Sequence, residues 1–326
     1  MRSLRHILYA LLLATLCGAG TQALAQAAWP TRPIRVVIPY TAGGAADAVA
    51  RPIFERMTEI LGQPVVIINR PGSNGEAGTA SVATAEPDGY TLLFATTGPN
   101  VNSIAMGRNV RYTTASFQPI TVFVESPSFM LVRSTLPIHN IAELVAYAKA
   151  NPGKLNYGTL GGGSAPQVAL KTLNRAAGID IREVPYPGVA GATVDILAGR
   201  IDLLSSVISA IGPHIQSGKL RPLGVVAGRR ASIMPDLPTV AEQLPGFTPV
   251  ASWLGLMAPA GTPKDIVDKI YKAAVEATRT PAVSERLRSM ALVITLPTPE
   301  TFTADINKDV ATWSEQFKAI GLTGKE

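Results

Sequence analysis

Short runs of consecutive apolar residues alternate along this chain with stretches of helical period, and that alternation restricts the fold more than any other feature. Arg35-Val36-Val37-Ile38 is such a run, and residues 45–61 then carry helical period up to Gly62. Residues 65–68 read as strand, 76–85 as helix, and 91–95 as strand after the Pro87-Asp88-Gly89 turn. A strand apolar at every position is buried on both faces, the environment of parallel βαβ units. A second set begins near Ser128, with strands over 129–132, 154–157, 202–205 and 220–226. Helices over 141–150, 164–177, 189–198 and 210–217 separate them, and the tail is helical over 264–277, 281–290 and 299–319. The β-rich stretches 117–125 and 249–258 stand outside this order and fit strands that carry the chain between two lobes. The expected architecture is therefore α/β, with two lobes joined by two hinge strands. Lobe 1 is discontinuous, 26–125 and 246–326, and lobe 2 is 126–245.

The N-terminus reads as an export signal, residues 1–25. Arg2 and Arg5 precede an apolar stretch over 7–16, and Ala23-Leu24-Ala25 supplies the small residues of a cleavage site. The apolar stretch is shorter than the roughly 18 residues of a membrane span. Leu16 before Cys17 is too bulky for lipid attachment, so the expected product is soluble, periplasmic and free of lipid. Cys17 is the only cysteine, which leaves no disulfide to brace the remainder. Some 300 residues suffice for two lobes without one. The chain has 29 basic and 23 acidic side chains; without residues 1–25 the balance falls from +6 to +4. Those charges are scattered, with no Lys/Arg run to follow a nucleic-acid backbone.

Ligands of open α/β sheets bind beyond the carboxyl ends of strands, beside helix N-termini. Three loops occupy such places. The first is Pro39-Tyr40-Thr41-Ala42-Gly43-Gly44-Ala45-Ala46-Asp47. Gly43 and Gly44 let the backbone approach a ligand and turn N–H groups toward an anion, with the helix dipole behind them. The same pair also suits a plain tight turn. Asp47 reads either as a ligand contact or as a brace for the first helical turn, paired with Arg51. The second loop is Tyr157-Gly158-Thr159-Leu160-Gly161-Gly162-Gly163-Ser164-Ala165-Pro166-Gln167. It offers free amides and the hydroxyls of Thr159 and Ser164 to a carboxylate, although Ser164 equally suits an N-cap. Pro166 breaks the G-x-S-x-G pattern of a hydrolase nucleophile. The third stretch runs from Tyr186 and Gly188 through Asp195 to Asp202, Ser205 and Ser206. There Tyr186 fits a cleft wall and Asp202 a water-orienting acid, or both are ordinary core and turn residues.

Catalytic and metal constellations are thin. His139 and His214 have no H-x-x-x-H or H-E-x-x-H neighbour, and no lysine follows the glycines to hold a phosphate. No cofactor is expected. The rival reading, a hydrolase or transferase using Ser164, Ser205 or His214, lacks a motif that places a base beside a nucleophile.

TRPIRVVIPYTAGGAADAVAR, LGQPVVIINRPGSNGEAG, PDGYTLLF, NPGKLNYGTLGGGSAP, VPYPGVAGATVDILAGRIDL, GKLRPLGVVAGRR, LPTVAEQLPGF and WLGLMAPAGTP follow in that order. Together they resemble the Bug family, the extracytoplasmic solute receptors of tripartite tricarboxylate transporters, from about Trp29 to Gly321. The resemblance implies a type II periplasmic-binding-protein fold and a small carboxylate ligand: a di- or tricarboxylate, an amino acid or an aromatic acid. Partners implied are the membrane subunits of such a transporter, or a sensor kinase, with the receptor a monomer. It places Thr41 to Ala45 in one jaw and Gly158, Thr159, Gly163 and Ser164 in the other, with Thr96, Thr97 and Asp202 facing the ligand. Three departures bear on specificity: Pro187 where Lys or Arg is common, Gln167 where His is common, and Leu203-Leu204-Ser205-Ser206 where many members carry Met-Phe-Asp after the acid.

Overall fold

A computed structural model describes residues 29–160, 164–231, 233–250, 252–290, 292–322 and 324; the expected export signal and Gly161 to Gly163 lie outside them. The first sheet contains β1 (Ile34–Ile38), β2 (Val65–Asn69), β3 (Thr91–Thr96), β4 (Phe117–Glu125), β10 (Trp253–Pro259) and β11 (Val293–Ile294). Its order is β11-β4-β10-β3-β1-β2. The second contains β5 (Ser128–Arg133), β6 (Asn156–Thr159), β7 (Arg182–Pro185), β8 (Leu203–Val207) and β9 (Leu220–Val225), in the order β7-β6-β8-β5-β9.

β1 pairs in parallel with β2 and β3, and β6 with β7 and β8. All these carboxyl ends therefore point the same way within each lobe. The intervening α1 (Ala45–Leu61) shows how the sequence builds such a unit. Ala46, Val49, Ala50, Ile53, Phe54 and Met57 recur at helical spacing, and all are buried. Phe54 meets Phe94 of β3 and Phe123 of β4 edge-on, each at a centroid distance of 5.9 Å. Gly62 ends the helix in the left-handed conformation, φ +67°, where its N–H bonds the carbonyl of Thr58.

The remaining helices are α2 (Glu76–Ala83), α3 (Ile141–Ala150), α4 (Ala165–Ala177), α5 (Val189–Leu197), α6 (Ile208–Gln216), α7 (Val240–Gln243), α8 (Lys264–Arg279), α9 (Pro281–Ser289) and α10 (Pro299–Ala319). Among the described residues no helix is long and apolar enough to cross a membrane. The stretches 117–125 and 249–258 do more than link lobes. β4 and most of the second form the antiparallel pair β4–β10 inside the first sheet, with Trp253 opposite Glu125. The chain crosses between sheets just beyond that pair, where Ser126 N–H donates to the carbonyl of Ser252 at 2.8 Å. Several short elements exceed the sequence reading: β7, which pairs in parallel with β6, β11, α7, and helical turns at Gly98–Asn102 and Ser103–Ala105.

Candidate functional site

The loop after β1 is held from below by a buried carboxylate. Asp47, 2 % exposed, accepts from Gly43 N–H at 3.0 Å, from Arg51 Nε at 2.6 Å and from Asn69 Nδ2 at 3.2 Å. Asn69 Nδ2 also donates to the carbonyl of Tyr40 at 3.1 Å. Burial pushes the Asp47 carboxyl up, but the bonds from Arg51, Gly43 and Asn69 outweigh it and hold the group below its ordinary range. Both oxygens are committed to the protein. Asp47 therefore sets the loop's shape, as in the bracing one of its two readings. Asn69, which sequence reasoning passed over, is the polar residue that closes the apolar run VVII.

That brace leaves Thr41, Ala42 and Gly43 exposed and Gly44 half-buried, with α1 starting at Ala45. Gly43 has φ +80°, a conformation that requires glycine. Gly44 has φ −78°, and a Cβ there would meet only the Thr41 carbonyl, at 3.4 Å. Neither backbone nor packing demands a glycine at 44, so what it provides is open space above the helix N-terminus. No side chain caps that terminus, so its first amides keep their partial positive charge for an incoming anion.

Tyr40 stands beside the loop, half-buried. Its hydroxyl and that of Thr96 share a hydrogen bond of 3.0 Å, and burial raises the phenol pKa although Thr96 opposes the shift. Thr97 Oγ1 accepts from Trp253 N–H at 2.9 Å, and Asn100 Oδ1 accepts from Thr96 N–H at 3.2 Å. Thr97 thus ties the end of β3 to the chain crossing and Thr96 joins Tyr40 and Asn100, both as buried residues.

In the second sheet, α4 begins at Ser164, which occupies the N-cap with no side-chain cap bond; its Oγ is buried without a partner. Gly163 lies outside the described residues. Thr159 is fully buried and its hydroxyl donates to Glu183 Oε1 at 2.6 Å, where Gln167 Nε2 also donates at 2.8 Å. Lys171 Nζ lies 3.8 Å from Glu183 Oε2. Glu183, a residue the sequence did not single out, ties the end of β6 to the first turns of α4, so Thr159 supports the loop from beneath. A Cβ on Gly158 would fall 2.7 Å from Ile201 Cδ1, so this glycine serves close packing.

Tyr186 N–H donates to the carbonyl of Thr159 at 2.8 Å and its hydroxyl to Asp195 Oδ2 at 2.7 Å, while Arg200 Nε bonds Asp195 Oδ1 at 2.8 Å. Burial, then the Asp195 bond and charge, push the phenol up to about 12, so Tyr186 stays a neutral, half-buried wall beside Gly188. Gly188 begins α5, also without a side-chain cap, and a Cβ there would meet nothing within 4 Å. α6 likewise starts uncapped at Val207. By contrast α3, α7 and α10, which do not begin at these loops, carry caps from Asn140, Thr239 and Thr298. Uncapped starts also occur at α8 and α9, so the missing cap gains meaning only together with the loop's position.

Asp202 lies at the opposite end of its sheet. It precedes β8, accepts from Arg133 Nε at 2.9 Å and from Asn156 N–H at 2.9 Å, and so joins the first residue of β6 to the last of β5. β6 runs four residues to its carboxyl end, about 10 Å at the usual rise of about 3.3 Å per residue. Asp202 is therefore a strand brace distant from the loops. Ser205 is 1 % exposed inside the lobe. Of the residues named from sequence, Thr41 to Gly44, Ser164, Tyr186 and Gly188 line the loop ends; Asp47, Thr96, Thr97, Gly158, Thr159, Asp202 and Ser205 are buried. Among the described residues no group of three His, Cys, Asp or Glu side chains is placed to hold a metal.

Known proteins resemble this chain over most of its length. The model of the tripartite tricarboxylate transporter family receptor matches residues 49–322. A protein from the tcbD-tcbE intergenic region of Pseudomonas sp. strain P51 is 33% identical over 99% of this chain and 96% of its own. Two solved structures from Rhodopseudomonas palustris superpose closely. MatC with bound malate is 31% identical, with TM-score 0.71, covering 88% of this chain and 99% of its own. The protein Rpa4515 with adipate is 32% identical, with TM-score 0.76, covering 90% and 99%. The fold is that of the two-lobed periplasmic binding proteins, and the chain belongs to the tripartite tricarboxylate transporter receptor family.

Proposed function

We propose that this chain is a periplasmic receptor that closes two lobes, 26–125 with 246–326 and 126–245, around a small carboxylate, a dicarboxylate foremost. The observation that carries the reading is a pair of uncapped helix N-termini, at Gly44 and Ser164, on loops that end parallel strands of different sheets. Each terminus is worth roughly half a positive charge, enough to hold a carboxylate by amides without a cationic side chain. Relatives bound to malate and to adipate support a ligand with two acid groups. Export by residues 1–25, release as a monomer, and delivery to transporter membrane subunits or a sensor kinase belong to the same proposal.

The reading makes the chain a binder with no catalytic step of its own. Ser205 is sealed inside lobe 2, and His214 stands in the last turn of α6, far along the helix from its start near the loops. A thermal-shift screen against malate, adipate, other di- and tricarboxylates, amino acids and aromatic acids tests it. A ligand at 100 times its Kd adds about 2.7 kcal/mol to stability, a shift of several degrees for a chain of this size. A panel in which no acid raises the melting temperature refutes the carboxylate reading.

A further inference from the structure

A cavity apart from the glycine loops joins residues of both lobes. About 470 Å³ in volume, it lies behind the chain crossings, walled by Glu125 and Trp253 at the crossings, Phe302 and Asp309 of α10, and Arg229 from the segment after β9. The strand orders fix its place relative to the ligand loops. In lobe 1, β3 and β1 lie on one side of the β4–β10 pair and β11 on the other. In lobe 2, β6 and β7 lie on one side of β5 and β9 on the other. Loops 39–44 and 158–164 follow β1 and β6, whereas the cavity is lined by Thr295 beyond β11 and by residues 227–229 beyond β9. The crossings stand between the two spaces like the bar of a seesaw. Rotation that brings the glycine loops together must draw Arg229 away from α10 and β4.

We propose that this cavity is a counter-cleft that widens as the ligand cleft closes, and that the Arg229–Glu125 pair and Asp309 on its walls set the open–closed balance of the lobes. Arg229 donates to Glu125 Oε2 from Nε at 3.1 Å and from the guanidinium terminus at 2.7 Å, an ion pair made across the lobes. It favours the arrangement in which the cavity is narrow. Asp309 is half-buried on the opposite wall. Burial, then the charges of Asp305 and Glu125, push its carboxyl up to about 6, with Lys308 opposing. Arg229 completes the set of charged groups lining the space. The sign follows from linkage. The narrow cavity raises the Asp309 pKa, so protonation stabilises that arrangement; above about pH 6 the ionised carboxylate favours a wider, hydrated cavity and hence a closed ligand cleft.

The inference rests on the two-lobe reading above but not on the ligand, so its test is run without one. Cys17→Ser removes the only native cysteine, and spin labels at Glu55→Cys on α1 and Val194→Cys on α5 occupy exposed positions, one on each lobe. Distance distributions between the labels should gain a shorter population between pH 5 and pH 7.5, with a midpoint near 6. Asp309→Asn should hold the pH 5 distribution at both values, and Arg229→Gln should enlarge the short population at pH 5. A wild type indifferent to pH, or an Asp309→Asn protein that responds as wild type does, overturns the proposal. Should Asp309→Asn fail to fold, Arg229→Gln decides: an unchanged distribution at pH 5 overturns it equally. Absence of carboxylate binding would leave these distances untouched, so the two proposals fail separately.

Discussion

Gly44 offers the cleanest separation of binding from folding. Its φ of −78° and ψ of 178° are open to any residue, and an added Cβ lies 3.4 Å from the Thr41 carbonyl with nothing else within 4 Å. Gly44→Val should therefore fold normally. Loss of glycine's preference at an N-cap costs about 0.5–1 kcal/mol, roughly offset by about 0.4–1 kcal/mol from the stiffer unfolded chain. The branched side chain would stand where a carboxylate meets the α1 amides. A hydrogen bond to a charged group contributes about 1.5–3 kcal/mol, so displacing one should weaken binding at least tenfold, about 1.4 kcal/mol. Calorimetry with the acid that most raises the melting temperature measures the affinity, and ligand-free melts check the fold. Two other glycines act as contrasts. Gly43→Val, at φ +80°, and Gly158→Ala, whose Cβ would fall 2.7 Å from Ile201 Cδ1, should lose stability first. A Gly44→Val protein that folds and binds as wild type does would place the anion elsewhere.

Asp47→Ala should destabilise the protein by about 1–3 kcal/mol, since Gly43 N–H, Arg51 and Asn69 all lose their acceptor. Because the folded carboxyl is held below its ordinary range, its contribution is complete above the unfolded pKa of about 3.9 and is lost as pH falls through the folded value; acid melts of Asp47→Asn should lack that loss. Single changes of Arg70, Arg108, Arg133, Arg182 and Arg200 to Ala should leave affinity within tenfold of wild type by calorimetry, as Arg108, Arg133 and Arg200 already pair with Glu76, Asp202 and Asp195. Glu183→Ala should weaken binding while Asp202→Ala, at the far end of the sheet, should lower the melting temperature without changing Kd corrected for folding.

Much of this fold was legible because period and punctuation agree. Residues 45–61 end at a glycine that adopts the left-handed cap, and the apolar runs at 34–38 and 91–96 become central strands. The candidate site shows in the sequence only at its loop tips. Thr41 to Gly44 and Ser164 combine small residues with strand-to-helix placement, a local signal. The bonds of Thr96, Thr159 and Asp202 could not be read there, because a polar residue at a strand end has two uses, facing a ligand or bonding a neighbouring strand. Which use applies depends on partners distant in sequence: Tyr40 for Thr96, Glu183 for Thr159, Arg133 and Asn156 for Asp202. Glu183 and Asn69 escaped notice for the same reason. Their partners are 24 and 22 residues away, beyond any helix or turn period.

The division of labour among these polar groups bears on how such a receptor can release what it captures. The charged residues near the loops are spent on the protein itself: Asp47 on Arg51, Asp195 on Arg200, Glu183 on Thr159 and Gln167. What the loop ends then offer is neutral, consisting of amides, the hydroxyls of Thr41 and Ser164 and a phenol that stays protonated. A grip of partial charges shared between two lobes is strong only while both lobes touch the ligand, because each terminus alone supplies about 0.3–1 kcal/mol when exposed. Separating the lobes by a few ångströms therefore returns the anion to water with no ion pair to break. An arginine in either loop would bind more tightly and would keep its hold on an open lobe. The balance between open and closed forms then governs affinity directly, since apparent Kd scales inversely with the fraction of protein able to close. That is why charged groups behind the hinge, at Arg229, Glu125 and Asp309, have leverage over a ligand they never touch.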